Sequence, residues 1–242
     1  MRVSSAAMPG LLVVIDGPAG AGKSTVAHQL ADALGVALLD TGAIYRSLAW
    51  LSREREVDWD DEAGLAAVAA DLKIRFEPVP VDQRGEGPSQ RVLVEQVDVS
   101  AAIRTSAISE GASKVSRHPA VRAALLGLQR GIAADAIEHG GCVAEGRDMG
   151  TVVFPDAPHK FFLTAEARTR AQRRHLELAA KGIAPSQDEV AAEMAVRDQR
   201  DSSRETAPLA RADDAVLIDS SDLEIAAVVD RMLAHIAQTR PA

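Results

Sequence analysis

The segment Gly17–Ser24 carries the residue types that bind the phosphates of a nucleotide. Its sequence, Gly-Pro-Ala-Gly-Ala-Gly-Lys-Ser, fits the pattern G-x-x-x-x-G-K-[ST]. Glycines in such a loop let backbone N–H groups turn inward around phosphate oxygens, helped by the positive end of the next helix. Lys23 can reach the β- and γ-phosphates, and the Ser24 hydroxyl can ligate Mg²⁺. The predicted ATP contacts are Gly17, Pro18, Ala19, Gly20, Ala21, Gly22, Lys23, Ser24 and Thr25.

The residues on either side of this loop predict a strand before it and a helix after it. The apolar run Leu11–Ile15 is typical of a short buried strand. Val26, Leu30 and Leu34 then recur at helical spacing, and Gly35 is a helix terminator. A strand followed by the loop and a helix is the context that favours a phosphate site over a glycine-rich turn with an exposed lysine.

The segment Asp40–Arg46 follows a second apolar run and opens a predicted helix. Thr41 is the expected cap of this helix. Tyr45 is the single tyrosine of the chain, and its position beside Arg46 suits the binding of a phosphate group. A capped helix with one surface arginine explains the same spacing equally well, so both interpretations stay open on the residues alone.

The segment Glu145–Gly150 follows a third apolar run, and its two glycines bracket an Arg–Asp pair. They let the backbone turn sharply, so that Arg147 and Asp148 point toward the edge of the sheet. A local ion pair in an exposed turn, worth less than about 1 kcal/mol, is the alternative. Loops at the carboxyl ends of parallel strands line the ligand crevice in this architecture, which favours a functional role.

A third group of charged residues lies on a predicted helix near the C-terminus. Arg197, Asp201 and Arg204 are spaced i, i+4 and i+7, so we expect them to share one helix face. An intrahelical pair between Arg197 and Asp201 would explain part of this pattern. Arg200 and Arg204, however, would be like charges one turn apart, which favours an anion lying near them.

A further arginine cluster precedes that helix. Arg170 and Arg174 are also like charges at i and i+4, and they raise the same question of a nearby anion. Arg173 and Glu177 have the spacing of an ordinary ion pair within a helix.

The order of the elements predicts an α/β fold with a mostly parallel sheet. Helical stretches separate five short apolar runs that we expect to be buried strands. These runs are Leu11–Ile15, Val36–Leu39, Cys142–Ala144, Lys160–Leu163 and Val216–Ile218.

The interval 73–103 differs from the rest, because its short segments alternate or are β-branched around a turn-rich stretch. We expect a small antiparallel insertion there, preceded by an acidic surface helix over 58–72. Residues 11–72 and 104–242 would form the core, and 1–10 a disordered tail.

Composition excludes several functional classes. A net charge of −8 argues against a nucleic-acid partner, because a phosphate polymer needs a broad basic face. No apolar stretch approaches the roughly 20 residues that cross a membrane. Cys142, the single cysteine, is expected to be a buried thiol, and its isolation favours the cytoplasm. The histidines show no metal-ligand spacing, and the guanine-binding motif of a switch GTPase is missing.

Together these motifs resemble the bacterial cytidylate kinase family, a group of P-loop nucleoside monophosphate kinases. The resemblance runs from about Leu11 to His235. It rests on Ile15–Thr25, Leu38–Arg46, Asp98–Thr105, Gly146–Ala157 and Arg197–Arg204. Many members have serine where Thr41 stands. The family implies a five-stranded parallel sheet flanked by helices, a CMP-binding insertion at 73–103 and a helical lid near 164–190.

The resemblance also implies an activity and a role for each candidate residue. ATP, with Mg²⁺ on Ser24, would give its γ-phosphoryl group to CMP and to dCMP. The catalytic residues would be Lys23, Arg147, Arg173 and Arg204. The CMP phosphate would be held by Tyr45, Arg46, Arg147 and Arg204. The sugar would be contacted by Arg197 and Asp201. Cytosine would be recognised by Ser113, Arg122 and Asp148. Thr41 completes the expected CMP site.

The pattern of hydrogen bonds on cytosine agrees with these assignments. Asp148 can accept from the N4 amino group of cytosine, whereas uracil would place its O4 acceptor against the same carboxylate. Two alternatives differ in the acceptor or in the class of protein. One is a P-loop kinase for another small acceptor such as UMP, and the other is a non-enzymatic ATP-dependent switch. We expect a monomer with no nucleic-acid or membrane partner.

Overall fold

The computed structural model describes residues 10–80, 83, 90–180, 182 and 185–239. The predicted tail lies almost wholly outside these residues, as does most of the turn-rich stretch after Pro78. The helices are α1 Lys23–Leu34, α2 Thr41–Glu54, α3 Glu62–Ala70, α4 Ser106–Val115, α5 Pro119–Glu138, α6 Ala167–Ala180, α7 Gln187–Ser202 and α8 Ile225–Gln238. The strands are β1 Leu12–Asp16, β2 Ala37–Asp40, β3 Ile74–Pro78, β4 Gln90–Val94, β5 Val97–Asp98, β6 Cys142–Glu145, β7 His159–Thr164 and β8 Val216–Asp219.

The predicted five-stranded parallel sheet is confirmed, and each strand lies within one residue of its predicted ends. Its strand order is β2-β6-β1-β7-β8. Strand β1 pairs in parallel with β6 on one side and with β7 on the other, and Ile15 lies opposite Glu145 and Phe161. Strand β1 is therefore central, and the phosphate loop leaves the sheet from its middle.

The chain divides into two compact units, which are Met1–Leu38 with Ala133–Ala242, and Leu39–Ile132. In the first unit, apolar side chains of β1 and β7 are fully buried against α1 and α8. Near-continuous apolar strands such as Leu12–Ile15 are what a sheet covered on both faces requires. The burial of this centre fixes the strand ends that carry polar residues, among them Asp16, Glu145 and Asp219.

The second unit contains the predicted antiparallel insertion, which is confirmed as a three-stranded sheet of order β3-β4-β5. This unit is larger than the predicted interval 73–103, because α2, α3 and α4 belong to it as well. The acidic helix expected over 58–72 is shorter than predicted, since Asp61 caps it by accepting the Gly64 N–H at 3.0 Å. Among the described residues, none of the helices has the length and apolar character that crossing a bilayer demands.

Candidate active site

The phosphate loop has the backbone geometry that its glycines predict. Gly17, Gly20 and Gly22 have φ angles of 149°, 73° and 89°, in the region that favours glycine. A Cβ atom on Gly17 would lie 1.9 Å from the carbonyl oxygen of Leu163 in β7. Because that oxygen belongs to a sheet backbone and cannot move aside, no side chain fits at residue 17, and the loop passes close against β7.

Lys23 is the first residue of α1 and lies at the mouth of the loop. Its side chain is buried, and its ammonium group donates to the Pro18 carbonyl oxygen at 2.7 Å. Burial and the nearby positive charge of Arg147 lower the pKa of Lys23 well below its ordinary value. Glu145 and Asp16 oppose this shift. Lys23 is therefore a partly desolvated cation at the centre of a buried group of charges.

The side-chain oxygens of Ser24 and Glu145 form a pair of candidate metal ligands beside Lys23. The Ser24 hydroxyl donates to Glu145 Oε2 at 3.0 Å, and Glu145 is 4% exposed. Hydroxyl and carboxylate oxygens are the ligands that Mg²⁺ prefers, so the pair fits the expected metal. Sequence reasoning assigned Ser24 to the metal but gave Glu145 no such role. Its position at the end of the strand next to β1 is the signal that could have identified it.

The carboxylate of Asp201 links two of the predicted acceptor-site arginines. It is 2% exposed, accepts from Arg147 Nε at 2.9 Å and forms an ion pair with Arg204. Burial opposes ionisation of Asp201, but the charges of Arg147, Arg204 and Arg197 together hold its pKa below the ordinary value. The predicted proximity of Arg147, Asp201 and Arg204 is therefore present within the first unit.

The helix that carries these residues is shorter than predicted. Helix α7 ends at Ser202, so Arg204 lies beyond its last turn rather than on a shared helical face. The expected repulsion between Arg200 and Arg204 across one helical turn therefore does not apply. Arg204 instead folds back onto Asp201, where burial of the carboxylate favours a second guanidinium.

The predicted pairing of Arg173 with Glu177 is wrong. Arg173 donates to the Ser220 carbonyl oxygen at 2.6 Å and to the Ser220 hydroxyl at 3.1 Å. Glu177 pairs with Arg174 at 2.8 Å. The physical reason is that Ser220, just after β8, offers Arg173 two oxygens at a buried position, whereas Glu177 faces solvent. Arg173 is thus held at the carboxyl end of β8.

Helices α6 and α7 pack against each other and contact the phosphate loop in the region predicted to be a lid. Arg170 donates to the Ala19 carbonyl oxygen at 3.1 Å and pairs with Asp198 at 2.5 Å. The thioether of Met194 closes over Gly20, where an added Cβ would lie 2.7 Å from the Met194 methyl carbon. Between the two helices lies a cavity of about 720 Å³. Arg170 of α6 therefore links α7 to the phosphate loop.

In the second unit, Asp40 organises the start of α2. Its carboxylate accepts the Ala43 N–H at 2.8 Å and pairs with Arg46 at 2.8 Å. The predicted cap, Thr41, is instead the first helical residue, because Asp40 has the extended backbone of a cap position and a side chain that reaches Ala43. Arg46 is thereby fixed one turn into the helix.

A group of aromatic and cationic side chains lies nearby in the same unit. The guanidinium of Arg122 stacks over the Tyr45 ring at 5.6 Å from its centroid and donates to the Ser116 carbonyl oxygen at 3.3 Å. Ser113 is buried on α4, the helix that ends just before Ser116. The structure therefore brings together Tyr45 and Arg122, two of the residues predicted to bind CMP.

Arg104 is a residue of this region that sequence reasoning missed. Its guanidinium donates to the Ser100 carbonyl oxygen at 2.8 Å. Burial and the charge of Arg46 both lower the pKa of Arg104. The guanidiniums of Arg46 and Arg104 thus lie close enough to act on each other, and the charges of Asp40 and Asp98 oppose the shift. No spacing rule connects residues 46 and 104, and the only sequence signal for Arg104 is its place in Asp98–Thr105, one of the segments that carry the family resemblance.

The parallel sheet, with the phosphate loop following its central strand, defines a P-loop kinase. The chain belongs to the cytidylate kinase family, because the model of that family matches residues 13–238. A cytidylate kinase of Pseudomonas syringae pv. tomato is 49% identical over 226 residues, which cover 93% of this chain and 95% of that protein. A cytidylate kinase of Geobacter sulfurreducens is 50% identical over 230 residues, which cover 95% of this chain and 94% of that protein.

Replacing the buried carboxylate of Asp201 is expected to destabilise the folded protein. Asp201→Asn should lower the free energy of unfolding at pH 7 by about 3 kcal/mol, because buried guanidiniums lose their counter-charge. The native pKa of Asp201 is depressed, so its stabilising charge is present above the unfolded pKa, near 4, and is lost as the pH falls through the lower native value. Denaturant unfolding from pH 7 to pH 3 should therefore show the difference between the two proteins shrinking.

Asp60→Asn is the matched control, because Asp60 also pairs with an arginine but is 69% exposed. It should change the free energy of unfolding by less than about 1 kcal/mol at every pH. An Asp201→Asn difference that stays constant down to pH 3 would contradict the electrostatic explanation.

Proposed function

We propose that this member of the cytidylate kinase family transfers the γ-phosphoryl group of ATP to CMP, and also to dCMP, by direct in-line transfer. The observation that carries the proposal is the group of guanidiniums around Asp201. Arg147 and Arg197 act electrostatically on both Asp201 and Lys23. The phosphate loop alone would explain ATP binding. A separate set of arginines within reach of its lysine is what a second phosphate group requires.

The donor half of the reaction is supported by the loop and by Lys23. Backbone N–H groups of the loop would hold the β-phosphate, and Lys23 would turn from the Pro18 carbonyl to the phosphate oxygens. A desolvated ammonium interacts more strongly with phosphate than an exposed one does. In this class of transfer the protein forms no covalent intermediate, so positioning and charge neutralisation provide the catalysis.

Ser24 would hold the magnesium ion through its hydroxyl oxygen, with Glu145 as the carboxylate behind it. When bound with ATP, Mg²⁺ neutralises charge on the β- and γ-phosphates. In the structure, Glu145 accepts a hydrogen bond from the Ser24 hydroxyl group. It can thereby keep the oxygen lone pairs of Ser24 directed away from itself and available to a cation.

Each unit contains its own candidate arginines for the acceptor phosphate. In the first unit these are Arg147 and Arg204, whose guanidiniums are oriented by Asp201. In the second unit Arg46 is oriented by Asp40 and lies near Arg104. Guanidiniums held in place by carboxylates lose little conformational freedom when they bind, which favours affinity for the phosphate. Both oxygens of Asp201 already accept from arginines, so a sugar hydroxyl would share its remaining lone pairs.

The proposed residue for recognition of the base in the first unit is Asp148, and those in the second unit are Arg122 and Ser113. Asp148 is buried, and Arg122 is held by Ser116 and by the ring of Tyr45. A buried carboxylate that accepts from the N4 amino group of cytosine would face the O4 acceptor of uracil without a proton between them. Such a mismatch penalises the wrong base strongly.

The lid helices would exclude water from the transferred group. Arg170 and Met194 connect α6 and α7 to the phosphate loop, and Arg173 lies against Ser220 at the end of β8. Release of Arg173 from Ser220 would let its guanidinium reach the γ-phosphate. Excluding water at that point prevents hydrolysis of ATP in place of transfer.

A panel of acceptors tests the proposed activity. ADP release from ATP should be measured with CMP, dCMP, UMP, AMP and GMP supplied singly. We expect release to depend strongly on CMP and dCMP, and to be at least about tenfold slower with the other acceptors. A preference for UMP would identify a kinase of another acceptor. Slow release that no acceptor changes would identify an ATP-dependent switch.

The loop lysine is expected to be essential for turnover. Lys23→Met should reduce kcat with CMP by about 100-fold or more, because a cation aimed at the transferring phosphoryl group is lost. Folding, followed by circular dichroism, should be unchanged, since methionine fills the same buried volume. Lys73→Met, a change of an exposed lysine in the second unit, should keep wild-type kcat. Near-normal turnover of Lys23→Met would remove Lys23 from the mechanism.

Removing the proposed base-recognition carboxylate is expected to weaken selectivity. Asp148→Ala should lower the ratio of kcat/KM for CMP to that for UMP by roughly tenfold or more, because the acceptor that penalises uracil is lost. Asp156→Ala removes an exposed carboxylate eight positions further along the chain and should leave the ratio unchanged. An unaltered ratio in Asp148→Ala would exclude this residue from recognition of the base.

A further inference from the structure

Asp16, the last residue of β1, has a role that neither its strand nor the phosphate loop explains. Its side chain is 4% exposed and lies in the first unit. Oδ1 accepts the Met149 N–H at 2.8 Å, and Oδ2 accepts the Gly150 N–H at 2.8 Å. One buried carboxylate thus binds two consecutive backbone N–H groups from the segment that follows β6.

Those two N–H groups begin a short π-helix, Met149–Val153. A helix start presents N–H groups that have no partner within the helix. The residue that precedes this helix, Asp148, makes no capping hydrogen bond to it with its side chain. Asp16, at the end of β1, accepts these N–H groups instead, so the side chain of Asp148 is not used as the cap.

The other end of the same turn is also attached to β1. Gly146 donates its N–H to the Ile15 carbonyl oxygen at 3.0 Å. The three-residue turn Gly146–Asp148 is therefore held to the end of β1 at both ends, by a backbone bond before it and by the Asp16 carboxylate after it. Arg147 and Asp148, the two side chains of this turn, project from a backbone with fixed ends.

The chemistry of this contact requires a carboxylate. Each oxygen accepts one N–H, so a side-chain amide would place an NH₂ group against one of the two donors. Burial raises the pKa of Asp16 to about 6, and the negative charge of Asp148 adds to the shift. The two N–H groups and the positive charge of Lys23 oppose it. A Cβ atom added to Gly150 would lie 3.3 Å from Cδ of Lys160, in β7, and 3.5 Å from Oδ2 of Asp16, so the stem of Lys160 also lies close to this contact.

We propose that Asp16 is a positioning residue for the acceptor: its carboxylate fixes the turn that carries Arg147 and Asp148, and so aligns both with CMP. The inference rests on the roles proposed above for Arg147 and Asp148. It assigns Asp16 no contact with either substrate. Loss of the Asp16 carboxylate should affect the use of CMP and leave the use of ATP nearly unchanged.

The test is Asp16→Asn, which keeps the size of the side chain but replaces one of its two acceptor oxygens with an NH₂ donor. We expect KM for CMP to rise about tenfold or more, and selectivity for CMP over UMP to fall. KM for ATP should stay within about threefold, because the loop backbone keeps its position on β1. Asp61→Asn is the matched control. Asp61 also accepts a backbone N–H, from Gly64 at 3.0 Å, but it caps a surface helix and should change neither constant.

Amide hydrogen exchange follows the contact itself and does not depend on the roles of Arg147 and Asp148. In Asp16→Asn the Met149 and Gly150 amides should exchange about tenfold faster or more, while the amides of β1 and β7 keep their protection. Faster exchange with an unchanged KM for CMP would overturn the positioning role. Faster exchange with equal increases in KM for ATP and CMP would also overturn it, because Asp16 would then stabilise both substrate sites and not the acceptor site in particular. Unchanged exchange would show that the contact does not hold the turn.

Two further measurements separate this inference from the proposed roles and from misfolding. If Arg147→Ala and Asp148→Ala leave KM for CMP unchanged, the assigned roles fail, whatever the exchange data show. If Asp16→Asn does not fold, the wild-type protein still provides a test. Protonation of Asp16 below about pH 6 should reduce the protection factors of the Met149 and Gly150 amides relative to those of β1. Protection factors that stay constant from pH 7.5 to pH 5 would overturn the inference.

Discussion

Compensation of buried charge is the constraint on which this site depends. Lys23, Arg147 and Arg204 lie with Asp201 and Glu145 at the ends of parallel strands, where water is largely excluded. An isolated charge in such surroundings would cost several kcal/mol, and it is tolerated only with a partner. The Asp201 carboxylate therefore lies between the guanidiniums of Arg147 and Arg204. Because a guanidinium carries five N–H donors, each arginine can keep its bond to Asp201 and still donate to an incoming phosphate.

Parallel β-structure provides this arrangement because it brings residues that are distant in sequence to one edge. Asp16 and Glu145 end neighbouring strands that are separated by more than a hundred residues, and Ser220 follows a third strand of the same sheet. Each strand needs an apolar sequence because both faces of the sheet are covered. The first residue past the apolar run is then free to be polar, and it emerges where the ligands must bind.

Much of this organisation could be predicted from the sequence, because strands and the phosphate loop are local patterns. Apolar runs located the five strands to within one residue, and the loop motif located Lys23 and Ser24. The predictions were wrong where two residues could fill the same role. Thr41 and Asp40 are both capable caps, and only the reach of the Asp40 carboxylate to Ala43 decides between them. Arg173 was paired by spacing with Glu177, yet a strand end offered it better acceptors.

Asp16 and Asp201 show why no local rule could have assigned the remaining roles, since burial opposes ionisation of both carboxylates and their neighbours decide the net shift of the pKa. Asp201 is surrounded by guanidiniums, so its ionisation stabilises the native state at neutral pH. The native pKa of Asp16 lies near 6, above the value of the unfolded chain, so its contribution is most favourable in acid and is lost as the pH rises through 6. A shift of this size corresponds to about 3 kcal/mol of stability given up at neutral pH. A buried carboxylate whose contribution to stability is smaller at neutral pH than in acid, yet binds two N–H groups beside Arg147 and Asp148, is better explained by the geometry it imposes than by the stability it adds.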